Sequence, residues 1–473
     1  MQTGRIRYWL PALIAFVLFS GPVPSNAFGS EDNRGFKFPD EEAVSLLSQY
    51  IQIDTTNPPG NETRAARFFK EIFDRQGIEA RIIESAPGRG NIYARLKGDG
   101  SKKAVILLNH MDVVPADPKF WSQVPFSGVI KEGFIWGRGA LDMKGPAILQ
   151  LMTMLTLKRQ GIRLKRDVVF LGTADEEAGG EMGAGFMVKK HFDLLVDAEY
   201  VLNEGGRIHL RDDGKVKYYG VGVAEKVPLW LGLTVSGTPG HGSMPRPDSA
   251  VNKLVTALNR VVNYQAPLKV VPEVQRFYAD IARLEPLPQR ERYKDLQTSL
   301  KDSAYASEFT KDPEANAVVR NTISVTMLEG SKKINVIPSE ASAQIDARLL
   351  PGEDPGAFLS ELRAVIADPS VKIVTLLSFP PASSPVDSEL FKIISEIAGK
   401  HDPGAPVTTP LLRGFTDCHF FREKGISCYG LIPFRTTDKE SSLIHGVDER
   451  VSLANVKFGL QMLYEIIQKL VSE

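Results

Sequence analysis

Val168-Val-Phe-Leu-Gly-Thr-Ala-Asp-Glu-Glu-Ala-Gly-Gly180 joins a short apolar run to three consecutive acids and a pair of glycines. An apolar run of this length, bounded by turn formers, reads as a strand buried on both faces, the kind a parallel sheet uses. The side chains of Glu176 and Glu177 are neighbours and cannot share one direction. One carboxylate can therefore ligate a metal while the other holds a water beside it as general base. Alone, the acidic triplet reads as a solvated loop. Matching residues at other strand ends change that reading.

Upstream, Ala104-Val-Ile-Leu-Leu-Asn-His-Met-Asp112 is a second buried run, ending in His110 and Asp112. Two residues apart on extended chain, these side chains point the same way. A metal-bound histidine usually gives its other ring hydrogen to a carboxylate, and Asp112 is placed to accept it. An ordinary hydrogen-bonded histidine is the alternative. Asp142, among the small residues of Ile135-Trp-Gly-Arg-Gly-Ala-Leu-Asp-Met-Lys-Gly145, precedes a helix expected over Pro146–Arg159. It reads either as a helix cap or as a short carboxylate bridging two metals. Downstream, Tyr200-Val-Leu runs into Asn203-Glu204-Gly-Gly. Three buried runs, separated by helical segments, thus end in acids or a histidine. Ligands of open α/β sheets bind outside the carboxyl ends of the strands, so these ends converge on one site.

The rest of the chain frames that site. Its 473 residues suffice for two domains, and 57 basic residues balance 57 acidic ones, so nothing points to nucleic acid. Arg5 and Arg7, the apolar Tyr8–Phe19 and Ser25-Asn26-Ala27 form a secretory signal peptide over residues 1–27, which implies a periplasmic or secreted protein without a stable membrane anchor. Cys418 and Cys428 read equally as one disulfide or as two buried thiols. From about Val221 the pattern changes to strand, helix, strand, strand, helix, strand, over Val227–Ser236, Asp248–Asn263, Asn321–Leu328, Ala341–Leu349, Pro355–Ala367 and Val371–Leu377. That order is the ferredoxin-like arrangement. It is interrupted by a polar, partly helical insertion at about Tyr264–Arg320. The expected division is a first domain over residues 28–220, a smaller one over 221–380, and a return to the first over 381–473.

His110-Met-Asp112, Gly139-Ala-Leu-Asp142-Met-Lys-Gly, Asp175-Glu-Glu177, Asn203-Glu204, Gly240-His241 and His445 occur in the order found in the M20 family of metallohydrolases, which this chain resembles over essentially its whole mature length. The resemblance implies an α/β fold: a mixed-sheet α/β/α di-zinc catalytic domain with an inserted ferredoxin-like α+β lid, which in this family often forms a homodimer. It implies two zinc ions, with cobalt or manganese also suited to the ligands, bridged by Asp142 and a solvent molecule. His110 and Glu204 would hold one ion, Glu177 and His445 the other. Glu176 would be the general base, Asp112 would orient His110, and His241 would bind the oxyanion. Asn335, Arg348, Gly414 and Thr416 match substrate-holding positions, and an arginine fork suits a free carboxylate. The implied activity is hydrolysis of the amide of N-acyl amino acids or of the last bond of a peptide. A dipeptidase or aminopeptidase with the same metal pair, or a binding module that has lost catalysis, are the alternatives.

Overall fold

Ala104–His110 and Val168–Thr173 are buried at every position and pair in parallel, from Val105 opposite Val168 to His110 opposite Thr173. The computed structural model describes residues 37–472, and Pro39–Glu473 forms one compact unit. The expected signal peptide lies outside the described residues. Ala198–Leu210 runs parallel on the other side of Ala104–His110, and Ser427–Thr436 runs parallel beside Ala198–Leu210. An antiparallel pair, Ala80–Ala86 and Arg89–Leu96, closes one edge, with Val216–Gly220 and Val407–Thr408 at the other. The result is a mixed eight-stranded sheet.

Helices cover both faces. On one, Phe69 and Phe73 of the helix Thr63–Arg75 meet Phe170 at ring distances of 5.0 and 5.3 Å. The helix Lys144–Arg159, buried over nearly all its length, packs there against Asp40–Ile51 and Leu453–Ser472. On the other face Ala184, Met187, Val188, Phe420 and Phe421 pack on Ile106, Leu108, Val169, Leu171 and Val201. Cys418 and Cys428 are joined as a disulfide, with Cα atoms 5.5 Å apart, pinning the short helix Cys418–Arg422 to the strand Ser427–Thr436. No helix among the described residues is long and apolar enough to cross a membrane.

The strand expected to end at Leu202 continues to Leu210. Its pairing with Ala104–His110 stops at Leu202, however, and Gly205 adopts φ +106°. A Cβ on Gly206 would sit 2.3 Å from the carbonyl oxygen of Gly430 and 2.4 Å from that of Gly220. Glycine is what lets three backbones approach here. Glu204 lies where the strand leaves its neighbour, not at a strand terminus.

A second sheet is built from Thr322–Glu329, Glu340–Leu349, Val227–Ser236 and Lys372–Ser378, in that spatial order and all antiparallel. Burial alternates along Val227–Ser236 and Glu340–Leu349, so one face is apolar and one open. The helices Ala250–Asn263 and Pro355–Ile366 share a core with that apolar face, through Leu254, Ala257, Val261, Phe358 and Leu362. Each begins on a capped residue: Ser249 accepts from the Asn252 amide and Asp354 from the Gly356 amide. The insertion forms short helices, among them Pro272–Ile281 and Pro313–Val318, and reaches the larger sheet: Phe277 meets Tyr218 at 5.5 Å, and Arg283 Nη2 donates to the Gly404 carbonyl at 2.8 Å.

Candidate metal centre and substrate-facing residues

Beyond Thr173 the chain turns through Asp175, which adopts the left-handed region at φ +71°. A non-glycine residue there costs roughly 1–3 kcal/mol, so the surroundings must hold it. Arg89 Nη2 donates to Asp175 Oδ1 at 2.7 Å, and the Met182 amide to Oδ2 at 3.1 Å. The turn aims the amides of Glu176 and Glu177 at Asp112, 3.1 Å from Oδ1 and 3.2 Å from Oδ2, and Asn57 Nδ2 adds a bond of 2.8 Å. Asp112 also faces His110. Its backbone carbonyl, 3.0 Å from His110 Nδ1, accepts the ring proton, and its carboxylate stands 3.6 Å away. Three N–H donors already occupy that carboxylate, so it shapes the Glu176–Glu177 turn.

Asp142 is held by a residue that the motifs did not reveal. Glu449 accepts from the amides of Gly139 at 3.1 Å, Leu141 at 2.8 Å and Asp142 at 3.2 Å, and from Arg138 Nη1 at 2.6 Å. Arg138 Nη2 also donates to the carbonyls of His445 at 3.3 Å and Gly446 at 3.0 Å. One enclosed ion pair thus fixes both the Asp142 loop and the His445 loop. The sequence offered only a lone base in a glycine-rich loop and a lone acid beside Asp448. The capping alternative for Asp142 does not hold, because the helix starts at Lys144 after Met143, with no side-chain cap.

The five expected ligands come together. Asp142 Oδ1 lies 2.9 Å from His110 Nε2, and its Oδ2 lies 3.2 Å from His445 Nε2. Glu204 is 3.6 Å from His110 Nε2, and Glu177 is 3.2 Å from His445 Nε2. His445, half exposed, is presented by a left-handed residue, φ +59°. Ligand atoms of His110, Asp142 and Glu177 lie within 4.8 Å of one another, as do those of His110, Glu176 and Glu204. Because His110 spends its Nδ1 hydrogen on a carbonyl, its Nε2 turns a lone pair toward carboxylates, a contact that needs a cation or proton between.

Among the described residues no lysine or arginine pairs with Asp142, Glu176, Glu177 or Glu204. Burial, then the charge of Glu204, drives the Glu176 carboxyl well above its usual range. Burial and Asp142 push Glu204 up to about 7, and Glu177 also rises. Hydrogen bonds that it donates to Asp142 and Glu177 lift His445 to about 10. Crowded anions with two imidazole nitrogens and no basic side chain form a donor set that a divalent cation satisfies. The residues fit a metal.

The substrate-facing expectations fall in or beside the smaller sheet and on one loop. Gly240–His241 pairs with Val336–Ile337, and the Gly242 amide donates to the Asn335 carbonyl at 2.9 Å, so His241 and Asn335 are neighbours. The Ser243 amide donates to His241 Nδ1 at 3.1 Å, which leaves the ring hydrogen on Nε2, a ready donor. Arg348 gives Nε and Nη2 to Asp346 at 2.7 and 3.1 Å, and its Nη1 is enclosed with no protein partner. Gly414 borders open space. The Thr416 amide and hydroxyl both donate to Glu225 Oε2 at 3.1 Å. No hydrogen bond or ion pair among the described residues joins His241, Asn335 or Arg348 to the ligand cluster. Asp417, next to Thr416, does reach the strand ends, because Thr173 Oγ1 donates to its Oδ2 at 2.7 Å.

Residues 106–469 match the model of peptidase family M20/M25/M40. The chain belongs to this family. As a member it is a metallohydrolase, with the cluster above as its candidate metal site. It is 30% identical over 380 residues, 78% of this chain and 72% of the relative, to a probable carboxypeptidase S-like 2 protein of Dictyostelium discoideum. It is also 30% identical over 444 residues, 90% of this chain and 86% of the relative, to an N-fatty-acyl-amino acid synthase/hydrolase of Xenopus tropicalis. Its fold is similar to that of an M20 family metallo-carboxypeptidase from Sulfolobus solfataricus, with a TM-score of 0.70 and 21% identity, covering 90% of this chain and 98% of that one.

Proposed function

We propose that this M20 hydrolase cleaves the amide bond of N-acyl amino acids or the C-terminal bond of peptides, using two metal ions held by His110, Asp142, Glu177, Glu204 and His445. The observation that carries the reading is Asp142: its two oxygens face histidines from opposite ends of the chain, and each histidine has its own glutamate beside it. Zinc in such a site supplies a Lewis acid for the substrate carbonyl and lowers the pKa of water.

The chain's own residues do the rest. Glu176, beside His110 and Glu204 in the cluster, accepts the proton of the attacking water and delivers it to the leaving nitrogen. Asp112 fixes Glu176 by holding its amide. His241 donates its Nε2 hydrogen to the developing oxyanion, with the smaller domain acting as a lid. The end of the Arg348 guanidinium not taken by Asp346 binds the free carboxylate. We also infer export, supported by the leader at residues 1–27 and by a disulfide suited to an oxidising compartment.

The test is hydrolysis by the metal-loaded mature protein of N-acyl amino acids and short peptides, each beside its carboxyl-amidated twin. Cleavage of the free acids alone supports the reading. Equal cleavage of both removes the carboxylate clamp and favours a dipeptidase or aminopeptidase. Recovery of the protein from the cytoplasm of its native cells would refute export.

A further inference from the structure

Around Arg348 the open face of the smaller sheet carries an aromatic collar that neither the motifs nor the family match assigns. The guanidinium carbon lies 5.8 Å from the ring centre of Trp230 and 5.1 Å from that of Phe415. The two rings stand 6.1 Å apart, and Phe379 backs Phe415 at 5.2 Å. Trp230 pairs with Asp346 across the sheet, so it shares a face with Asp346 and Arg348. Phe415 comes from the loop of the larger domain. Two residues on, Asp417 bonds to Thr173, at the end of the strand that leads to Glu176. The collar is therefore tied to the reaction centre within one chain.

Three observations indicate an occupant. Trp230 Nε1 and Arg348 Nη1 are both enclosed donors without a protein partner, which a ligand with acceptor oxygens would satisfy. Beside them, Gly232 clears the sheet surface: a Cβ there would meet Val374 at 3.1 Å and Leu376 at 3.5 Å. Those two side chains are 56% and 50% exposed, an apolar floor continuous with the collar. Donors facing a carboxylate and an apolar floor next to them describe an amino acid with a free carboxyl group and a large apolar side chain. Asp346, on the same face, repels an acidic one.

We propose that Trp230 and Phe415 select the residue whose carboxylate Arg348 binds, accepting aromatic and large aliphatic side chains over glycine and acidic residues. This rests on the amidohydrolase reading above and extends it to the substrate's amino-acid half. The test uses the mature, metal-loaded protein with N-acetyl-phenylalanine, N-acetyl-leucine, N-acetyl-glycine and N-acetyl-glutamate. It reads kcat and KM, and also the dissociation constant by calorimetry on the Glu176→Gln background.

The wild type should favour phenylalanine over glycine by roughly tenfold or more, since single methylenes in apolar pockets are worth about 10–200-fold. Trp230→Ala should bring that ratio to within about threefold by raising KM for the phenylalanine substrate, not by lowering kcat, with melting temperature and metal content showing that the variant is folded. Trp230→Phe should recover most of the preference, and Phe415→Leu should weaken it. A wild type without preference, or a Trp230→Ala variant that keeps it, overturns the proposal. If amidated twins are cleaved equally while Trp230→Ala still abolishes preference, the collar stands and the clamp falls. If no compound is bound or cleaved, both readings fall. If Leu376→Asp splits a dimer in ultracentrifugation and leaves the preference intact, the floor is a contact between copies, and its assignment to substrate is wrong.

Discussion

The two regions that this chain brings to a substrate are built in opposite ways. At the strand ends, most of the proposed ligating or basic side chains are aimed by a neighbour that is itself locked: Glu176 and Glu177 by Asp112, and Asp142 and His445 by the Arg138–Glu449 pair. Around the smaller sheet, His241 is exposed and touches little beyond Ser243, and Arg348 has one restraining carboxylate, Asp346. Bond-breaking residues need fixed distances, whereas recognition residues need only be pre-aimed. Loss of a ligand or of its support in the first region should thus reach metal content and stability, and damage to the second only the handling of substrate.

The largest effect that can break this contrast is expected from Glu176→Gln. Its kcat should fall by about 10²–10⁴-fold, the usual worth of a general base. Metal content by mass spectrometry should not change, and a loss of metal would make Glu176 a ligand. Next is Arg138→Ala, which strands Glu449 in an enclosed site. Breaking a buried pair costs about 3–5 kcal/mol, readable by denaturant titration, and both Asp142 and His445 should loosen, so that chelator strips the metal faster. Unchanged stability would show that the two loops are held by something else.

His241→Asn sharpens the other side of the contrast. It should lower kcat by about 10–10³-fold with melting temperature and metal content unchanged, as removal of one oxyanion donor does elsewhere. A shifted melting temperature would mean that the smaller domain is structurally coupled after all. The smallest effect is a reference outside both regions. Glu465 is half-buried, and although burial opposes ionisation, His401 and Lys400 hold its pKa at about 2. A lowered pKa supplies stability above the unfolded value near 4.5 and loses it as pH falls toward 2. Glu465→Gln should therefore lower the melting temperature at pH 7, with a deficit that shrinks between pH 4.5 and 2. A deficit constant with pH would indicate lost packing instead.

What was legible in the sequence follows the same division. His110 and the Glu176–Glu177 pair could be found because each sits at the end of its own apolar run, a local signal. The open face near Arg348 was half legible, since alternation along Ala341–Leu349 marks it, but the Asp346 bond and the aromatic neighbours do not show in a pattern of two. Glu449 and Arg138 were not legible, because their importance lies in a contact between residues 311 apart in the chain. Which group of Asp112 lies closer to His110, carbonyl or carboxylate, was not legible either, because it depends on the direction of one peptide plane. Cys418 and Cys428 left pairing open because spacing alone does not bring two Cα atoms within reach.

The placement of His445 has a consequence for biosynthesis. The segment 227–378 is continuous, and its sheet and helices share a core of their own. The strand Ser427–Thr436, by contrast, must find Ala198–Leu210 across more than two hundred intervening residues, and His445 is made later still. Domains generally fold as units, N-terminal first, and long-range parallel pairing is slow. A nascent or truncated chain that ends before His445 therefore has every other member of the cluster and no second histidine. If His445 is the ligand proposed above, such a chain would lack the nitrogen donor of the second metal position.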